Sequence, residues 1–565
     1  MKYIIIGGVA GGASTAARLR RLDECAEIIL LEKGEYISYA NCGLPYYIGE
    51  VIKDRNKLLV QTAQGFRNRF QIDVRVRNEV LKIIPEENQV LIKDLNSGHM
   101  YTESYDKLVL SLGAEPIKPP IPGLETPGIF TLRNVQDTDF IKKYIEIKHV
   151  KTAVIMGGGF IGLEMAENLF HLGIEITLIE LGEQILSPLD YPLAAIAQNY
   201  IREKGIKIYL RTEVKEFSSR KGKIHIQLKD EESLETDMVI LSIGVFPDTN
   251  LAKKAGLKIG EAKGIWVNEY LQTSNQSIYA VGDAIEYPNP ISNISGLTYL
   301  AGPANKQGRI CALNISKGNI RTYEGSLSTA ILKVFDMVVA ITGVSSKNLL
   351  RNKIPHNTST THSGSHAGYY PGSQLMTLQI TFSPNDGKIL GAQCVGFEGV
   401  DKRVDIISSI LKLGGNIYDL TEFEQAYAPP FSSAKDPVNM AGFVAENILD
   451  QIHNVFYWDQ IHTIHNEDIL IDVRNPEEHR HGNIPGSISI PLDTLRSKLE
   501  TLSKNKTIYV FCEVGQRGYL AQRILLQNGF NKVYNLSGGY KTWHTAQSEK
   551  TLLQAKEVQK EIQIH

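Results

Sequence analysis

The 565-residue sequence predicts an α/β protein of several domains, with two doubly wound units, a strand-rich α+β block and a separate C-terminal α/β domain. Three observations predict it. A pattern of β-branched strand, glycine turn, helix, second strand and terminal acid occurs twice, about 150 residues apart. Past about residue 320 the chain keeps strand-like apolar runs but loses that pattern, and strand–helix alternation resumes near residue 456. The length agrees, since about 150 residues per domain gives roughly four domains.

The first unit runs from Lys2–Ile6 through Gly7-Gly8-Val9-Ala10-Gly11-Gly12 and a helix to "IILLE", ending at Glu32. The second runs from Ala153–Met156 through Gly157-Gly158-Gly159-Phe160-Ile161-Gly162 and a helix to "ITLIE", ending at Glu180. This is the βαβ unit that holds a dinucleotide. Its glycines admit a pyrophosphate to the helix N-terminus, where amide donors and the helix dipole meet it, and its acid accepts a ribose hydroxyl. One such pattern is a weak signal. Two copies, with acids 20 and 18 residues after the last glycine, are a strong one. Gly7, Gly12 and Glu32 are the candidates in the first unit; Gly157, Gly159, Gly162 and Glu180 are those in the second. Val9 occupies the middle-glycine position of the first copy, so the backbone approach there is made differently.

Glu180 pairs with a free 2′-hydroxyl and repels a 2′-phosphate, and Leu181, Gly182 and Glu183 supply no arginine, which favours NADH over NADPH. "YDKLVLSLGAEP" (Tyr105–Pro116) and "SIYAVGDA" (Ser277–Ala284) each run a strand into a glycine turn, as a flavoprotein of this build requires. Asp283 is placed to bind a ribityl hydroxyl of FAD.

The strand-rich block has apolar runs at Ala330–Val334 and Met376–Ile380, and the segment Glu446–Val455 follows it. Strands return at "DILIDVR" (Asp468–Arg474), "TIYVFC" (Thr507–Cys512) and "KVYNLSGG" (Lys532–Gly539). The tail, Thr551–His565, is polar and compatible with helix.

Composition narrows the function. A net charge of −2 argues against a general nucleic-acid binder. Five scattered cysteines form no disulfide framework and fit a reducing cytosol. The apolar start, Tyr3 to Ala17, is interrupted by four glycines and is too short to span a membrane, so a cytoplasmic protein without membrane or nucleic-acid partners is expected. Cys311 and Cys394 sit in apolar runs and read as core. Metal-ligand spacing is absent, and His362 and His366 fall in a Ser/Thr/His stretch that is a weak metal candidate.

Cys42 lies in "SYANCGLPYYIGE" (Ser38–Glu50), just past the first unit and so near a flavin held there. A nearby helix N-terminus is expected to lower its thiol pKa. Cys25, 17 residues upstream on the expected helix, is no partner, so the oxidised state is a mixed disulfide, a persulfide or a sulfenic acid. Here the chain resembles the single-cysteine flavoprotein disulfide reductases, and within them the coenzyme A-disulfide reductases, over about residues 1–445. The matching residues are Ser38, Asn41, Cys42, Leu44, Pro45 and Tyr46, with Tyr39 where Phe is usual.

"EFEQAYAPPFSSAKDPVNMAG" (Glu422–Gly442) also matches, and in that family it comes from the partner of a homodimer. The resemblance implies that Tyr427 faces the cysteine across the interface as proton donor, that Tyr369 of "GYYPG" is a further tyrosine, and that Lys435 helps hold coenzyme A (CoA). It also implies a CoA track along Ser14, Arg18, Arg21, Ser38 and Asn41; from spacing alone the arginines read as a solvated face. Asn305 stands where relatives have histidine, and Phe70, beside Arg69, where some have a CoA-binding lysine.

Cys512 opens "CEVGQRG" between a strand and a helix, where backbone amides can converge on its sulfur and Arg517 adds positive charge. With "LIDVR", "GNIPGS" and "LSGGYKTW", about residues 456–545 resemble a rhodanese sulfurtransferase domain. The six-residue span Cys512–Arg517 fits sulfur transfer, and Asn483 replaces a common histidine in a structural place.

The expected architecture is α/β, with two Rossmann-like FAD and NAD domains, an α+β dimerisation domain and a C-terminal α/β rhodanese domain. The expected bounds are 1–115 and 246–322 for FAD, 116–245 for NAD(P), 323–446 for dimerisation and 456–546 for rhodanese. The resemblance extends to NADH-dependent persulfide and polysulfide reductases. An NADH oxidase or peroxidase using a cysteine sulfenic acid, and a redox-sensing sulfur-carrier scaffold, are the alternatives.

Overall fold

The computed structural model describes residues 1–229 and 232–563, with side chains described as far as residue 555. It forms two compact units, one of residues 1–181 with 211–328 and the other of residues 182–210 with 329 onward.

The first unit opens with β1 (Lys2–Ile6), α1 (Ala10–Leu22) and β2 (Glu27–Glu32). After a short helix, α2 (Leu44–Ile48), come β3 (Asp73–Val76) and β4 (Lys107–Leu110). The pattern then repeats through β5 (Ile129–Thr131), β6 (Thr152–Met156), α3 (Phe160–His171), β7 (Glu175–Ile179) and β8 (Met238–Leu241). β9 (Ile278–Ala280) and α4 (Ala301–Lys317) complete the unit.

One parallel sheet has the order β9-β4-β1-β2-β3. In the other, β6 lies between β7 and β8, and β8 pairs with β5. Both central strands are buried on both faces, which is why β1 reads as a continuous isoleucine run instead of an alternation. The two registers match, Lys2↔Glu27 to Ile6↔Leu31 and Thr152↔Glu175 to Met156↔Ile179. Each sheet therefore delivers its acid, Glu32 or Glu180, beside its glycine turn. α1 packs on α4, where Cys311 is buried as expected.

Cys25 is not on α1, which corrects the expectation. The helix stops at Leu22, and the Asp23 carboxylate accepts the Cys25 N–H at 3.0 Å, offering the backbone a turn in place of another helical bond. Cys25 is consequently exposed.

The second unit holds an antiparallel sheet of β10 (Ala330–Val334), β11 (Met337–Gly343), β12 (Asn357–Gly364), β13 (Leu375–Phe382) and β14 (Ile389–Gly396), ordered β10-β11-β14-β13-β12. Both expected apolar runs are strands, and Cys394 is buried in β14. α5 (Val400–Lys412) packs on β14 and β11, and α6 (Pro437–Leu449) on β12. The segment Glu446–Val455 begins inside α6.

A parallel sheet follows, built from β15 (Val455–Phe456), β16 (Ile469–Asp472), β17 (Ile488–Ser489), β18 (Ile508–Phe511) and β19 (Val533–Leu536), in the order β15-β19-β18-β16-β17. Its helices include α7 (Pro476–His481), α8 (Gln516–Gln527) and α9 (Gly539–Gln563). The tail is thus the end of α9, and its last two residues lie outside the described ones. α9 docks on the helix Tyr191–Glu203 through the buried Glu549, which accepts from Gln198 Nε2 at 2.9 Å and Arg202 Nε at 3.3 Å. Among the described residues no helix is long and apolar enough to cross a membrane.

Candidate functional site

Three constellations bear chemistry, one in the first unit and two in the second. The first is a cavity of about 500 Å³ at the carboxyl ends of β1 and β2, lined by Gly7, Gly11, Glu32, Asn41, Arg133 and Asp283 among others. The residues of its rim fit a flavin dinucleotide. A Cβ on Gly12 would land on the Gly7 carbonyl oxygen, so only glycine lets α1 meet β1 this closely. Glu32 uses one carboxylate oxygen to accept the Gly8 N–H (2.8 Å) and the other to accept the Gly34 N–H (2.7 Å), which fixes it at the rim. Burial pushes the Asp283 carboxyl up, with Arg133 opposing, so a hydroxyl partner there would relieve a desolvated acid. Arg133, anchored by its Nε on the Ala114 carbonyl at 2.5 Å, belongs to no sequence motif and was not expected.

The second glycine turn reproduces the first. A Cβ on Gly162 would strike the Gly157 carbonyl, the Gly159 position is open, and Glu180 accepts the Gly158 N–H at 2.8 Å. Open space at the middle glycine leaves room for a pyrophosphate against the backbone. The helix behind it, α3, contributes an unexpected acid. Burial pushes Glu164 up to about 7, Tyr46 opposes this by hydrogen bonding, and Glu167 adds to it. The Tyr46 hydroxyl lies 3.5 Å from Glu164, which connects α3 to the cysteine segment.

Cys42 occupies a single 3₁₀ turn, Asn41–Gly43, directly before α2. Its thiol is not lowered, contrary to expectation. Desolvation around the sulfur pushes it up although the residue is exposed, and the Glu164 and Asp283 carboxylates push it further. The five-residue α2 offers too small a dipole to reverse this. Ser38 holds a left-handed backbone, φ 46°, and donates its N–H to Gly8 at 2.8 Å, tying the cysteine segment to the glycine turn.

The residues expected along the CoA track lie in the same unit. The Ser14 hydroxyl donates to Asn305 Oδ1 across the α1–α4 contact. Arg21 is lowered by burial and by its neighbours Arg18 and Arg309, a cationic group of three. Asn41 Oδ1 and Arg18 Nε are buried with no hydrogen-bond partner among the described residues. Phe70 packs on Phe66, and its carbonyl accepts from Arg20, so its role is structural.

In the second unit Tyr369 and Tyr427 share a hydrogen bond, and both rings are exposed. Lys435 precedes Asp436, whose buried carboxylate accepts from Arg403, Ser432 and the Val438 N–H. That anchor fixes the end of the Tyr427–Lys435 segment at the start of α6. Arg403 and Asp436 are 33 residues apart, and no local motif signals the pair.

The third constellation surrounds Cys512, fully buried at the end of β18. The Gly515 N–H reaches its sulfur at 3.2 Å. Arg517 lies beside it, with both terminal nitrogens 2.7 Å from the Glu478 oxygens. Arg474 binds Asp472 and Glu513 and stacks on Tyr540, 4.0 Å from the ring centre. Asn483 donates to the His479 carbonyl at 3.3 Å. Glu478 was missed, although "NPEE" after a strand is a capping-box signature that would have pointed to it.

The turn Gly538-Gly539 backs the cradle. The Tyr540 N–H donates to the Cys512 carbonyl at 2.7 Å, and His362 Nε2 lies 3.1 Å from the Gly538 carbonyl. Burial takes His362 down to about 4, so the ring is neutral, its Nε2–H donating to Gly538 while Nδ1 accepts from Thr377. His366 stacks edge-on against Tyr370 instead. Among the described residues no group of three acidic, histidine or cysteine side chains could hold a metal ion.

The pyridine nucleotide-disulphide oxidoreductase model matches residues 1–307, its dimerisation-domain model residues 329–437, and the rhodanese-like domain model residues 458–546. The chain is 34% identical over 445 residues to coenzyme A disulfide reductase of Staphylococcus aureus (strain JH9), covering 79% of this chain and 100% of that one. It superposes on reduced Bacillus anthracis CoADR-RHD with a TM-score of 0.95 at 47% identity, covering 97% and 98% of the two chains. The NAD-dependent persulfide reductase from A. fulgidus gives a TM-score of 0.89 at 35% identity, covering 96% and 100%.

Proposed function

We infer the function from what the chain is: it belongs to the coenzyme A disulfide reductase family of pyridine nucleotide-disulphide oxidoreductases and ends in a rhodanese domain. It is a flavin- and NAD(P)H-dependent disulfide or persulfide reductase. The reading proposed here is narrower. A homodimer uses NADH to cleave the S–S bond of CoA persulfide, polysulfide or CoA disulfide at Cys42, and Cys512 takes up or hands over the sulfane sulfur. The observation that supports it most is the place of Cys42 beside Asn41, which lines the Gly7–Asp283 cavity, with the chain's other four cysteines also unpaired.

FAD in that cavity and NADH on the Gly157–Glu180 turn would supply the hydride and the two electrons that return a Cys42 mixed disulfide or persulfide to thiolate. The Cys42 thiolate attacks one sulfur of the incoming S–S bond, forming Cys42–S–S–R and expelling the other sulfur as a thiolate. Tyr427, coming from the partner subunit and hydrogen-bonded to Tyr369, gives that thiolate its proton. Ser14, Arg18, Arg21, Ser38, Asn41, Asn305 and Lys435 hold the CoA moiety, with the arginines facing its phosphates. Glu180 selects NADH. Cys512 accepts the sulfane sulfur as a persulfide, which the Gly515 amide steadies.

The test compares the full-length holoenzyme with two variants. Cys42→Ser loses NADH-driven reduction of CoA disulfide and of polysulfide, whereas full turnover in that variant overturns the scheme. Cys512→Ser loses sulfur transfer to cyanide and keeps CoA-disulfide reduction. CoA covalently attached to Cys42 in the purified protein, read by mass spectrometry, would support the substrate class directly.

A further inference from the structure

We infer that Glu478 determines donor specificity at Cys512, turning the sulfur cradle away from dianionic donors and toward thiol-bound persulfides. The inference rests on the reading of Cys512 as a sulfur carrier and adds the donor class and the residue that selects it.

The cradle contains one cation adjacent to the sulfur, Arg517, and that cation is already committed. Both of its terminal nitrogens lie 2.7 Å from Glu478, one on each carboxylate oxygen. Glu478 is itself held in place, because its Oε2 also accepts the Asn475 N–H at 2.9 Å in the capping box that starts α7. Swinging the carboxylate away would uncap that helix and leave a guanidinium unpaired. Arg517 holds the Glu478 carboxyl down at about 2, so the pair is charged throughout the working range of an enzyme.

The next cation, Arg474, is equally engaged, by Asp472 at 2.8 Å and by Glu513, the residue after Cys512, at 3.0 Å. Two guanidinium groups thus answer three carboxylates. What remains for an incoming anion is backbone, the Gly515 N–H on the sulfur. Such a site suits one diffuse charge on a terminal sulfur and disfavours a compact dianion, which meets two fixed carboxylates, Glu478 and Glu513, and two guanidinium groups that are both already paired.

The chemistry follows the same line. The Cys512 thiolate attacks the outer sulfur of R–S–S–H; the Cys512 S–S bond forms, the R–S–S bond breaks, and RS⁻ leaves with the electron pair and takes a proton from water. No net oxidation or reduction occurs. With thiosulfate the same attack expels sulfite, a dianion that must depart past Glu478 while Arg517 stays committed to that carboxylate.

The experiment measures sulfur transfer to cyanide by the full-length holoenzyme, with thiosulfate and with glutathione persulfide as alternative donors. Flavin content and thermal unfolding report that each variant is folded. Wild type favours the persulfide in kcat/KM. Glu478→Gln, which retains the capping hydrogen bond, shifts the ratio of the two kcat/KM values toward thiosulfate by tenfold or more, mainly through a lower thiosulfate KM. An unchanged ratio, or an equal fall for both donors, overturns the role of Glu478. So does a wild type that uses thiosulfate as well as the persulfide. Transfer that survives Cys512→Ser would instead sink the underlying reading of Cys512, and the two failures are therefore distinguishable.

Discussion

The hydroxyl of Tyr369 lies 2.9 Å from that of Tyr427, although 58 residues separate them and both rings are exposed. The hydrogen bond raises the Tyr369 phenol above its ordinary value, so that phenol keeps its proton. Tyr427→Phe should slow the disulfide-cleaving half-reaction about 100-fold, the scale of a lost general acid. Tyr369→Phe should cost about tenfold, the scale of one hydrogen bond. Stopped-flow traces should show flavin reduction by NADH unaltered in both, and an equal slowing of both half-reactions would refute the assignment.

Glu164 couples stability to pH. Its folded value, about 7, lies above the ordinary 4.5, so the native state keeps a proton that the unfolded chain has released. The stabilisation is complete below 4.5 and is lost as pH rises through about 7. Urea unfolding between pH 5 and pH 8 should show wild type losing more stability than Glu164→Gln across that window. The same variant removes a carboxylate that raises the Cys42 thiol, so alkylation of Cys42 at pH 8 should become faster. Parallel unfolding curves for the two proteins would mean that Glu164 titrates alike in both states.

In the proposed function Glu180, oriented by the Gly158 amide, sets the cofactor choice. Replacing it with alanine should reduce the preference for NADH over NADPH about tenfold by removing the repulsion of a 2′-phosphate. Steady-state kcat/KM for the two nucleotides decides the matter, and a preference that persists at full strength would place discrimination elsewhere.

The Arg403–Asp436 pair is almost wholly buried, at 1% and 0% exposure. Removing one partner leaves the other charged and unpaired, so Arg403→Met should destabilise the second unit by about 3–5 kcal/mol. Asp436 also caps α6 and accepts from Ser432, so Asp436→Asn should loosen the Tyr427–Lys435 segment as well. Thermal unfolding reads the first effect, and faster proteolysis near Lys435 reads the second.

What the sequence could determine by itself was whatever is written in adjacent residues. Two glycine turns, each with an acid at the end of the following strand, sufficed for the paired α/β units, because turn, helix and strand signals are local and the acid's register follows from parallel pairing. The Cys42 and Cys512 loops were legible for the same reason, each being a short run of turn chemistry at an element boundary. Cys25 was misplaced because helical periodicity continued past Leu22 while the Asp23 side chain ended the helix. The Cys42 thiol was expected low from its own segment, but its surroundings are set by Glu164, 122 residues away, and by Asp283. Glu478 meets Arg517 across 39 residues, His362 meets Gly538 across 176, and Ser14 meets Asn305 across 291. Those meetings were decided only by the tertiary structure. A charge or hydrogen-bond donor acts through space, and no local pattern records which distant residue the fold will bring within its reach.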